Sequence, residues 1–299
     1  MTGVQATELV FEGRLGLWRD AWQRLVRNPG AVVGAALLLA FVGVALFAPL
    51  VAPFGPDQRV GGLAAVPPGP SPGHLCGLDE QGRDLCSRVV YGARFSLVVG
   101  IVSVAVGLSG GLVLGAIAGT AGGRLRFLDT VIMRLVDIML AIPSLLLAIG
   151  LVTLLDRGLA QVMVAVGVTN VPIFARLLRG TMLGVRESDY VLAARAVGAP
   201  RRRLLLIHIL PNAVAPVIVQ ATLAMATAIV DVAGLSFLGL GPADPALPEW
   251  GRILADNVNR MQSSPHLVFF PGFAIVASVL AVNLIGDGLR EAIDPKLGI

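Results

Sequence analysis

Long apolar runs separated by short polar segments dominate the pattern along this chain. A helix that crosses a lipid bilayer needs about 20 predominantly apolar residues. Uncharged stretches near or above that length lie at 31–56, 95–123, 158–175 and 261–286, the third being short. Two more apolar stretches, at 128–155 and 213–238, contain isolated charges. The pattern therefore predicts an all-α polytopic membrane protein with six transmembrane helices.

One segment between the fourth and fifth runs, YVLAARAVGAPRRRLLLIHILPN at 190–212, is too polar at its centre to cross a bilayer. Its pattern predicts two short helices that are separated at 198–200, where a glycine and a proline follow one another closely. The second helix is expected to stop at Pro211. Ser188 and Asp189 are suited to cap the first helix. The segment is thus expected to form a helical hairpin outside the membrane.

The first helix of this hairpin has a face of small side chains, formed by Ala193, Ala194, Ala196 and Val197. Small side chains let a helix seat deeply in a groove, because nothing bulky holds the two backbones apart. The second helix has a basic start and an apolar body, which suits docking beneath the membrane helices. A basic amphipathic hairpin on anionic lipid is the alternative, but lipid binding favours large apolar residues. A groove on another protein is therefore the favoured contact of the small-residue face.

The composition agrees with a membrane protein and limits its chemistry. The chain is 56% hydrophobic and 14% charged, whereas soluble domains carry about 25% charged residues. Lys296 is the only lysine and lies in DPKLGI, so the Gly-Lys-Ser/Thr of an ATP-binding loop is missing. The three histidines are scattered, and strings such as GLSGG at 107–111 are interpreted as helix-packing glycines. The sequence predicts no catalytic residues, no metal site and no nucleic-acid partner.

The distribution of arginine predicts the orientation, because cytoplasmic loops of membrane proteins are enriched in basic residues. Basic residues concentrate before the first run, between the second and third, and across 176–203, which holds seven arginines. The segments 53–92 and 239–265 carry at least as many acids as bases. Both termini and the hairpin are therefore expected in the cytoplasm.

Near the N-terminus, Leu15, Trp18, Trp22 and Leu25 at helical spacing predict an interfacial helix, with a solvated tail as the alternative.

Arg134, Asp137 and Asp231 fall within the predicted spans, where a charge is costly and often functional. Arg134 and Asp137 are one turn apart and are expected to form an i,i+3 pair, either bracing packed helices or lining a translocation path. Asp231 has no helical neighbour of opposite charge. It is therefore expected to face a water-filled cavity or a subunit interface.

The hairpin sequence resembles the EAA loop of ABC importer permeases, whose pattern is E-A-A-x3-G followed nine residues later by I-x-L-P. Five positions match that pattern: Ala193, Ala194, Gly198, Leu210 and Pro211. Leu192 stands in the place of the glutamate and His208 in the place of the isoleucine. The resemblance implies that the hairpin is the coupling helix, which sits in a cleft of an ATPase subunit.

Further segments extend this resemblance over most of the chain. They are GLDEQGRDLCSRVVYGARFSL (77–97), MRLVDIMLAIPSLLLAIGLV (133–152), LSFLGLG (235–241), PEWGRIL (248–254) and FPGFAIVASVLAVNLIGDGLREAIDPKL (270–297). In this order they resemble the C-type permeases of dipeptide and oligopeptide importers in the binding-protein-dependent transport family. The resemblance implies the type I permease fold of ABC importers, with an N-terminal interfacial helix and a cytoplasmic coupling-helix hairpin.

Together, pattern and resemblance divide the chain into five regions. The expected regions are a cytoplasmic N-terminal interfacial helix (1–30), a first transmembrane helix (31–56), an extracytoplasmic loop (57–92), a five-helix permease core with the EAA loop at 181–212 (93–290) and a cytoplasmic C-terminus (291–299). The expected contacts with an ATPase come from Asp189, Tyr190, Ala193, Ala194, Arg195, Gly198, Ala199, Arg201 and Pro211.

The resemblance also implies a set of partners in a bacterial inner membrane. In that family the permease pairs with a homologous B-type permease, two ABC ATPase subunits bind ATP and Mg, and an extracytoplasmic binding protein delivers peptide. This chain would then form half of the pathway and hold no cofactor itself. Glutathione or a nickel complex is an alternative cargo. A self-sufficient secondary transporter is less favoured, because no internal repeat is evident.

Two features of the outer segment have alternative interpretations. The motif GLDEQGRDLCSR contains Asp79, Gly82, Arg83 and Asp84, which either lie where a binding protein docks or brace the loop internally. Cys76 and Cys86 both fall on the outer face, where a disulfide can persist. Their spacing is equally compatible with two free thiols.

Overall fold

A computed structural model describes residues 19–63, 67–121, 126–155, 158–242, 244 and 246–293. Across these residues every extended regular element is a helix. We label them α1 (residues 19–27), α2 (Pro29–Leu46), α3 (Ala48–Val51), α4 (Leu85–Thr120), α5 (Arg126–Ala141), α6 (Ser144–Leu154), α7 (Leu159–Arg186), α8 (Asp189–Ala196), α9 (Arg201–Phe237), α10 (Trp250–Asn257) and α11 (His266–Ile293).

Five helices, α2, α4, α7, α9 and α11, are long and apolar enough to cross a membrane, and the pair α5–α6 supplies a sixth span. The pair is bent by 98°, so the single helix expected at 128–155 is instead a broken one. Pro143 lies at the break, lacks a backbone N–H and disfavours helical geometry at Ile142. The all-α architecture of six spans is confirmed, with this correction to the third.

Several span limits differ from the apolar windows, because capping residues decide where helices begin and end. The first span begins at Pro29, where the Asn28 side-chain oxygen accepts a hydrogen bond from the Ala31 N–H at 3.0 Å, and it ends at Leu46 rather than near 56. α4 begins eight residues before the expected core, at Leu85 rather than 93, because Asp84 caps it. The fourth span continues beyond 175 to Arg186, and the last runs from His266 to Ile293 rather than over 261–286.

α9 continues through Pro211, where the second hairpin helix was expected to stop. Residues Leu204–Ile209 form a π-helical turn, in which the Leu210 N–H donates to the Leu205 carbonyl oxygen. A π-turn widens the helix, which relieves the clash that a proline otherwise makes with the preceding turn. The second hairpin helix and the fifth span are therefore one helical element of 37 residues.

The closest helix packing joins α4 to α7 through a row of glycines at every fourth position: Gly107, Gly111, Gly115 and Gly119. A Cβ atom on Gly111 would lie 2.3 Å from the Phe174 Cβ, and one on Gly115 would lie 2.7 Å from the Ala175 carbonyl oxygen. Small residues at this spacing let two membrane helices touch backbone to backbone. The interpretation of GLSGG as a helix-packing string is confirmed.

A second group of buried residues packs around α10, a helix that the apolar pattern does not predict. Trp250 is fully buried, and its indole N–H donates to the Val89 carbonyl oxygen at 2.9 Å. The Glu249 carboxylate caps α10 by accepting hydrogen bonds from the N–H groups of Gly251 and Arg252, both at 2.9 Å. Burial raises the pKa of Glu249, and these two hydrogen bonds oppose the rise. α10 therefore fastens the 239–265 segment onto α4.

The N-terminal region is described only in part. Leu15 and Trp18 of the expected interfacial helix lie outside the described residues, as does Lys296 near the C-terminus. Residues 19–27 are helical and Trp22 is exposed. The side chain of Asn28 donates to the Glu291 carboxylate at 2.6 Å, which joins the start of α2 to the end of α11.

Candidate functional site

The hairpin predicted at 190–212 consists of α8 and the first turns of α9. Val191 is fully buried and holds α8 against the bundle. Ser188 occupies the N-cap position, but its hydroxyl donates to the Val185 carbonyl oxygen at 2.6 Å instead of capping α8. Its own carbonyl oxygen accepts from the N–H groups of Val191 and Leu192, both at 3.0 Å. The expected side-chain cap at Ser188 is therefore wrong, because the residue bonds back to α7.

The break between the two hairpin helices lies where the sequence predicts it. Gly198 has a φ of +83°, a left-handed conformation that glycine adopts without steric cost. The Gly198 N–H donates to the Arg195 carbonyl oxygen at 3.0 Å, and the Ala199 N–H donates to that of Ala194 at 3.1 Å. Pro200 then precedes the first turn of α9. The turn is thus closed by backbone hydrogen bonds and a single left-handed glycine.

The small residues of the hairpin divide into two groups. Ala194 and Ala199 pack against the hydrophobic core, so they hold the hairpin to the spans. Ala193, Ala196 and Val197 are exposed, and Val197 is 85% exposed. An exposed apolar edge with small side chains leaves room for the backbone of another chain. The hairpin therefore carries a rigidly mounted edge that nothing else in the described chain covers.

Polar contacts lock α8 onto α9. The Tyr190 hydroxyl donates to the His208 carbonyl oxygen at 3.3 Å, and the Asn212 amide donates to the Tyr190 hydroxyl at 3.0 Å and to the same carbonyl at 2.6 Å. Asp189 and Arg195 are exposed on α8. Arg201 and Pro211 are exposed on α9, so all nine expected contact residues belong to one structural unit. The sequence did not predict the Tyr190–Asn212 contact.

The charged residues within the spans pair differently from the prediction. Asp137 pairs with Arg176 of α7 rather than with Arg134, which is exposed. Positions three apart on a helix differ by about 60° around its axis, and the Asp137 side of α5 is the one that meets α7. A second pair, Arg179 with Asp129, has nitrogen–oxygen distances of 2.5 and 2.8 Å. Two arginine–carboxylate pairs thus fasten α5 to α7.

Asp231 lies on a face of α9 that this chain leaves partly uncovered. The carboxylate is half-buried, and the exposed residues Thr227, Val230 and Leu238 lie on the same side of the helix. Within the described residues no ion pair is recorded for Asp231. Its location is compatible with both a cavity and a subunit interface, so the two interpretations stay predictions.

The motif at 77–88 forms a buried network of charges. Asp79, Arg83 and Arg88 are at most 5% exposed. One Asp79 oxygen accepts from Arg83 Nε at 2.7 Å and from Arg88 Nη1 at 2.8 Å. The other accepts from the backbone N–H groups of Gln81 and Arg83, both at 2.9 Å. We call this group the Asp79 brace; its arrangement favours the internal interpretation of the motif over a docking surface.

Further polar contacts surround the Asp79 brace. Asp84 is buried, pairs with His74 Nδ1 at 2.9 Å and caps α4 by accepting from the Ser87 N–H at 2.8 Å. Gly82 has a φ of +72°, and a Cβ atom there would lie 2.2 Å from the Gly61 carbonyl oxygen. Glu80 pairs with Arg260, which ties this loop to the segment after α10. Arg88 and His74 are the members that sequence reasoning missed, because their partners are fixed only by the fold.

Cys76 and Cys86 are joined by a disulfide with a Cα–Cα distance of 5.1 Å, so the alternative of two free thiols is wrong. The bridge closes a short loop that contains Asp79 and Arg83 of the Asp79 brace. A crosslink of this kind limits the unfolded conformations of the segment that it encloses. The chain between Cys76 and Cys86 is therefore held as one closed loop.

Two families match the sequence in two separate regions. The family described as "Binding-protein-dependent transport system inner membrane component" matches residues 111–299. The family described as "N-terminal TM domain of oligopeptide transport permease C" matches residues 16–68. Together these matches include both the first span and most of the helical core.

Curated relatives match over almost the whole chain. The dipeptide transport system permease protein DppC of Alkalihalophilus pseudofirmus is 46% identical over 285 residues, which cover 94% of this chain and 90% of the relative. The protein of the same name from Escherichia coli K12 is 45% identical over 283 residues, 93% of each chain. The glutathione transport system permease protein GsiD of Pectobacterium atrosepticum is 41% identical over 280 residues, 94% of this chain and 91% of the relative.

Solved structures show the same fold at lower identity. The inward-facing MetNI methionine ABC transporter matches with a TM-score of 0.57 and 20% identity over 69% of this chain and 96% of that one. An amino acid ABC transporter crystallised with histidines matches with a TM-score of 0.52 and 16% identity over 70% of this chain and 94% of that one. The chain therefore belongs to the inner-membrane components of binding-protein-dependent transport systems, as a multi-pass DppC/OppC-like permease subunit of the ABC transporter class.

Proposed function

We propose that this chain forms half of the transmembrane pathway of an ATP-driven importer for dipeptides or oligopeptides. The observation that supports this proposal most directly is the exposed small-residue edge of α8, on a hairpin fixed between two spans. This edge consists of Ala193, Ala196 and Val197. α7 leads into the hairpin and α9 leads out of it into the membrane. A displacement of this edge would therefore move two spans directly. The chain would thus receive mechanical work and perform no chemistry of its own.

The proposal names the partners that supply this work. Two ABC ATPase subunits would bind ATP and Mg and receive the α8 edge in a cleft, because this sequence lacks the Gly-Lys-Ser/Thr of a phosphate-binding loop. A homologous B-type permease would complete the pathway, and an extracytoplasmic binding protein would deliver the peptide. The arginine-rich 176–203 segment supports a cytoplasmic hairpin and cytoplasmic termini. The five-region division of the chain belongs to the same proposal.

The cargo follows from the relatives and remains part of the proposal. Relatives named for dipeptide transport are 46% and 45% identical to this chain, compared with 41% for one named for glutathione transport. We therefore propose a dipeptide as the main cargo and keep glutathione, itself a short peptide, as the second candidate. In either case Asp231 would face the pathway or the partner permease.

Co-purification from membranes tests this proposal. The tagged chain, extracted in mild detergent, is expected to bring two ATPase chains and a second six-span permease, which mass spectrometry would identify. The reconstituted complex should take up radiolabelled dipeptide only with ATP and the binding protein. Competition by excess glutathione would show that glutathione, the second candidate, is also a cargo. A chain that purified alone or as a homodimer and moved solute without ATP would contradict the proposal.

Gly198→Ala should reduce uptake several-fold while leaving insertion and ATP hydrolysis largely intact. A Cβ atom at this position would meet nothing within 4 Å, so the penalty comes from the positive φ alone. Placing an L-residue in the left-handed region costs about 1–2 kcal/mol, which would shift the hairpin turn. The measurement is the ratio of dipeptide taken up to ATP hydrolysed in proteoliposomes.

Two variants sharpen this comparison. Gly198→Asn should restore much of the ratio, because asparagine tolerates the left-handed conformation. Gly180→Ala on α7 is the matched control, since a Cβ atom there also meets nothing within 4 Å and the position is helical. An unchanged ratio in Gly198→Ala would mean that the turn does not position the coupling edge.

A further inference from the structure

A cavity of about 620 Å³ lies where the hairpin meets the ends of two membrane helices. The last turn of α4 forms one wall, the end of α7 a second, and the hairpin a third. Its volume lies within the range of typical ligand pockets, about 300–1,000 Å³. Ala193, Ala196 and Val197 of the exposed edge do not line the cavity, whereas Arg195, Ala199 and Arg201, also expected ATPase contacts, do.

Four arginines line this cavity: Arg186 from α7, Arg195 from α8, and Arg201 and Arg202 from α9. Among the described residues no carboxylate shares the lining. None of the four arginines is paired with an acid elsewhere in the described residues, whereas Arg176 and Arg179, earlier on α7, both are. The cavity therefore concentrates uncompensated positive charge, which favours an anionic ligand.

The remaining lining defines what kind of anion fits. Met182, Leu204 and Ile209 contribute an apolar floor beside the guanidinium groups. Guanidinium groups bind phosphate in a bidentate manner, and an apolar floor favours hydrocarbon. A ligand with both parts is an anionic phospholipid, and basic pockets between membrane helices are known to hold such headgroups. We propose that this cavity binds the phosphate headgroup of an anionic phospholipid, with the start of an acyl chain on its apolar floor.

Such a lipid would act on the position of the hairpin. The cavity is lined by residues of α4 and α7 on one side and of α8 and α9 on the other. A bound headgroup would therefore hold the hairpin against the spans by reducing the repulsion among four positive charges. This inference concerns the chain itself and does not depend on the identity of the cargo.

Native mass spectrometry of the full chain, with its co-purifying subunits, tests the inference. After delipidation the protein is titrated with dioleoylphosphatidylglycerol or dioleoylphosphatidylcholine in matched detergent. We expect retention of phosphatidylglycerol over phosphatidylcholine, and a loss of affinity of about tenfold or more in Arg201→Gln/Arg202→Gln, because hydrogen bonds to charged groups are strong. Arg203→Gln is the matched control, since Arg203 is exposed on the same turn but does not line the cavity.

Other outcomes would overturn the inference. Equal phosphatidylglycerol binding in the double variant and in Arg203→Gln would exclude this cavity, and equal retention of both lipids would exclude charge recognition. Displacement by millimolar inorganic phosphate would indicate a soluble anion instead. Retained lipid with lost ATPase subunits would assign the arginines to a protein contact. If the double variant fails to fold, Arg186→Gln on α7 removes a lining charge outside the hairpin and provides the same comparison.

Discussion

Asp79→Ala is expected to unfold the outer segment and to remove most of the folded protein from the membrane. The Asp79 carboxylate neutralises Arg83 and Arg88, both of which are buried, and accepts two backbone hydrogen bonds. Breaking a buried ion pair from one side costs about 3–5 kcal/mol, because the remaining charge is left without a partner. Here Arg88 would be left in that state, and Arg83 would keep only its contact with the exposed Asp57. The free energy of unfolding should therefore fall by at least this amount.

The measurement is the melting temperature of the purified chain in detergent, together with its amount in membranes. Asp57→Ala is the matched control, because Asp57 also pairs with Arg83 but its side chain is 64% exposed. Exposed pairs contribute at most about 1 kcal/mol, so this variant should stay close to the wild type. Similar melting temperatures for the two variants would show that the Asp79 brace does not support the fold.

Gly111→Ala should separate α4 from α7 and destabilise the bundle by about 3 kcal/mol or more. The added methyl group would lie 2.3 Å from the Phe174 Cβ and 2.9 Å from the Val171 carbonyl oxygen. Both are close to the backbone, so no flexible side chain can move aside. The two helices must shift instead, and contacts along the whole glycine row would weaken.

Gly150→Ala on α6 provides the matched control. A Cβ atom at Gly150 meets nothing within 4 Å, and alanine has the higher helix propensity. Thermal unfolding in detergent should show a lower melting temperature for Gly111→Ala and an unchanged or slightly higher one for Gly150→Ala. If Gly111→Ala were as stable as the control, the helices would have to be farther apart than the structure places them.

The sequence predicts the architecture well where one local property decides it. Six apolar runs predict six spans, and a single glycine before a proline predicts the turn at Gly198. The apolar run at 128–155 does not predict the break at Pro143, although proline is a direct signal for one. The prediction that the helix stops at Pro211 is wrong in the opposite sense, because a π-turn accommodates Pro211 inside α9. Proline alone therefore does not decide between a break and a continuous helix.

The sequence fails where a distant contact decides the outcome. Asp137 has an arginine three residues away, yet Arg176 on another helix is its partner. Trp250 becomes a core residue only because Gly92 on α4 leaves space for its ring. Whether Asp79 braces the loop or lies on a docking surface depends on how deeply its side chain is buried. The periodicity of apolar residues does not predict the burial of a side chain in a loop. The disulfide depended on the same folded geometry.

The glycine row between α4 and α7 has a consequence for communication across the membrane. α4 starts beside the Asp79 brace and α7 ends at the hairpin, so the two faces of the protein are opposite ends of one closely packed pair. Under the proposed function, a delivery protein binds near one end and an ATPase near the other. Docking of the delivery protein would then change the affinity of the ATPase for nucleotide. Thermodynamic reciprocity requires that bound nucleotide change the affinity for the delivery protein by the same factor.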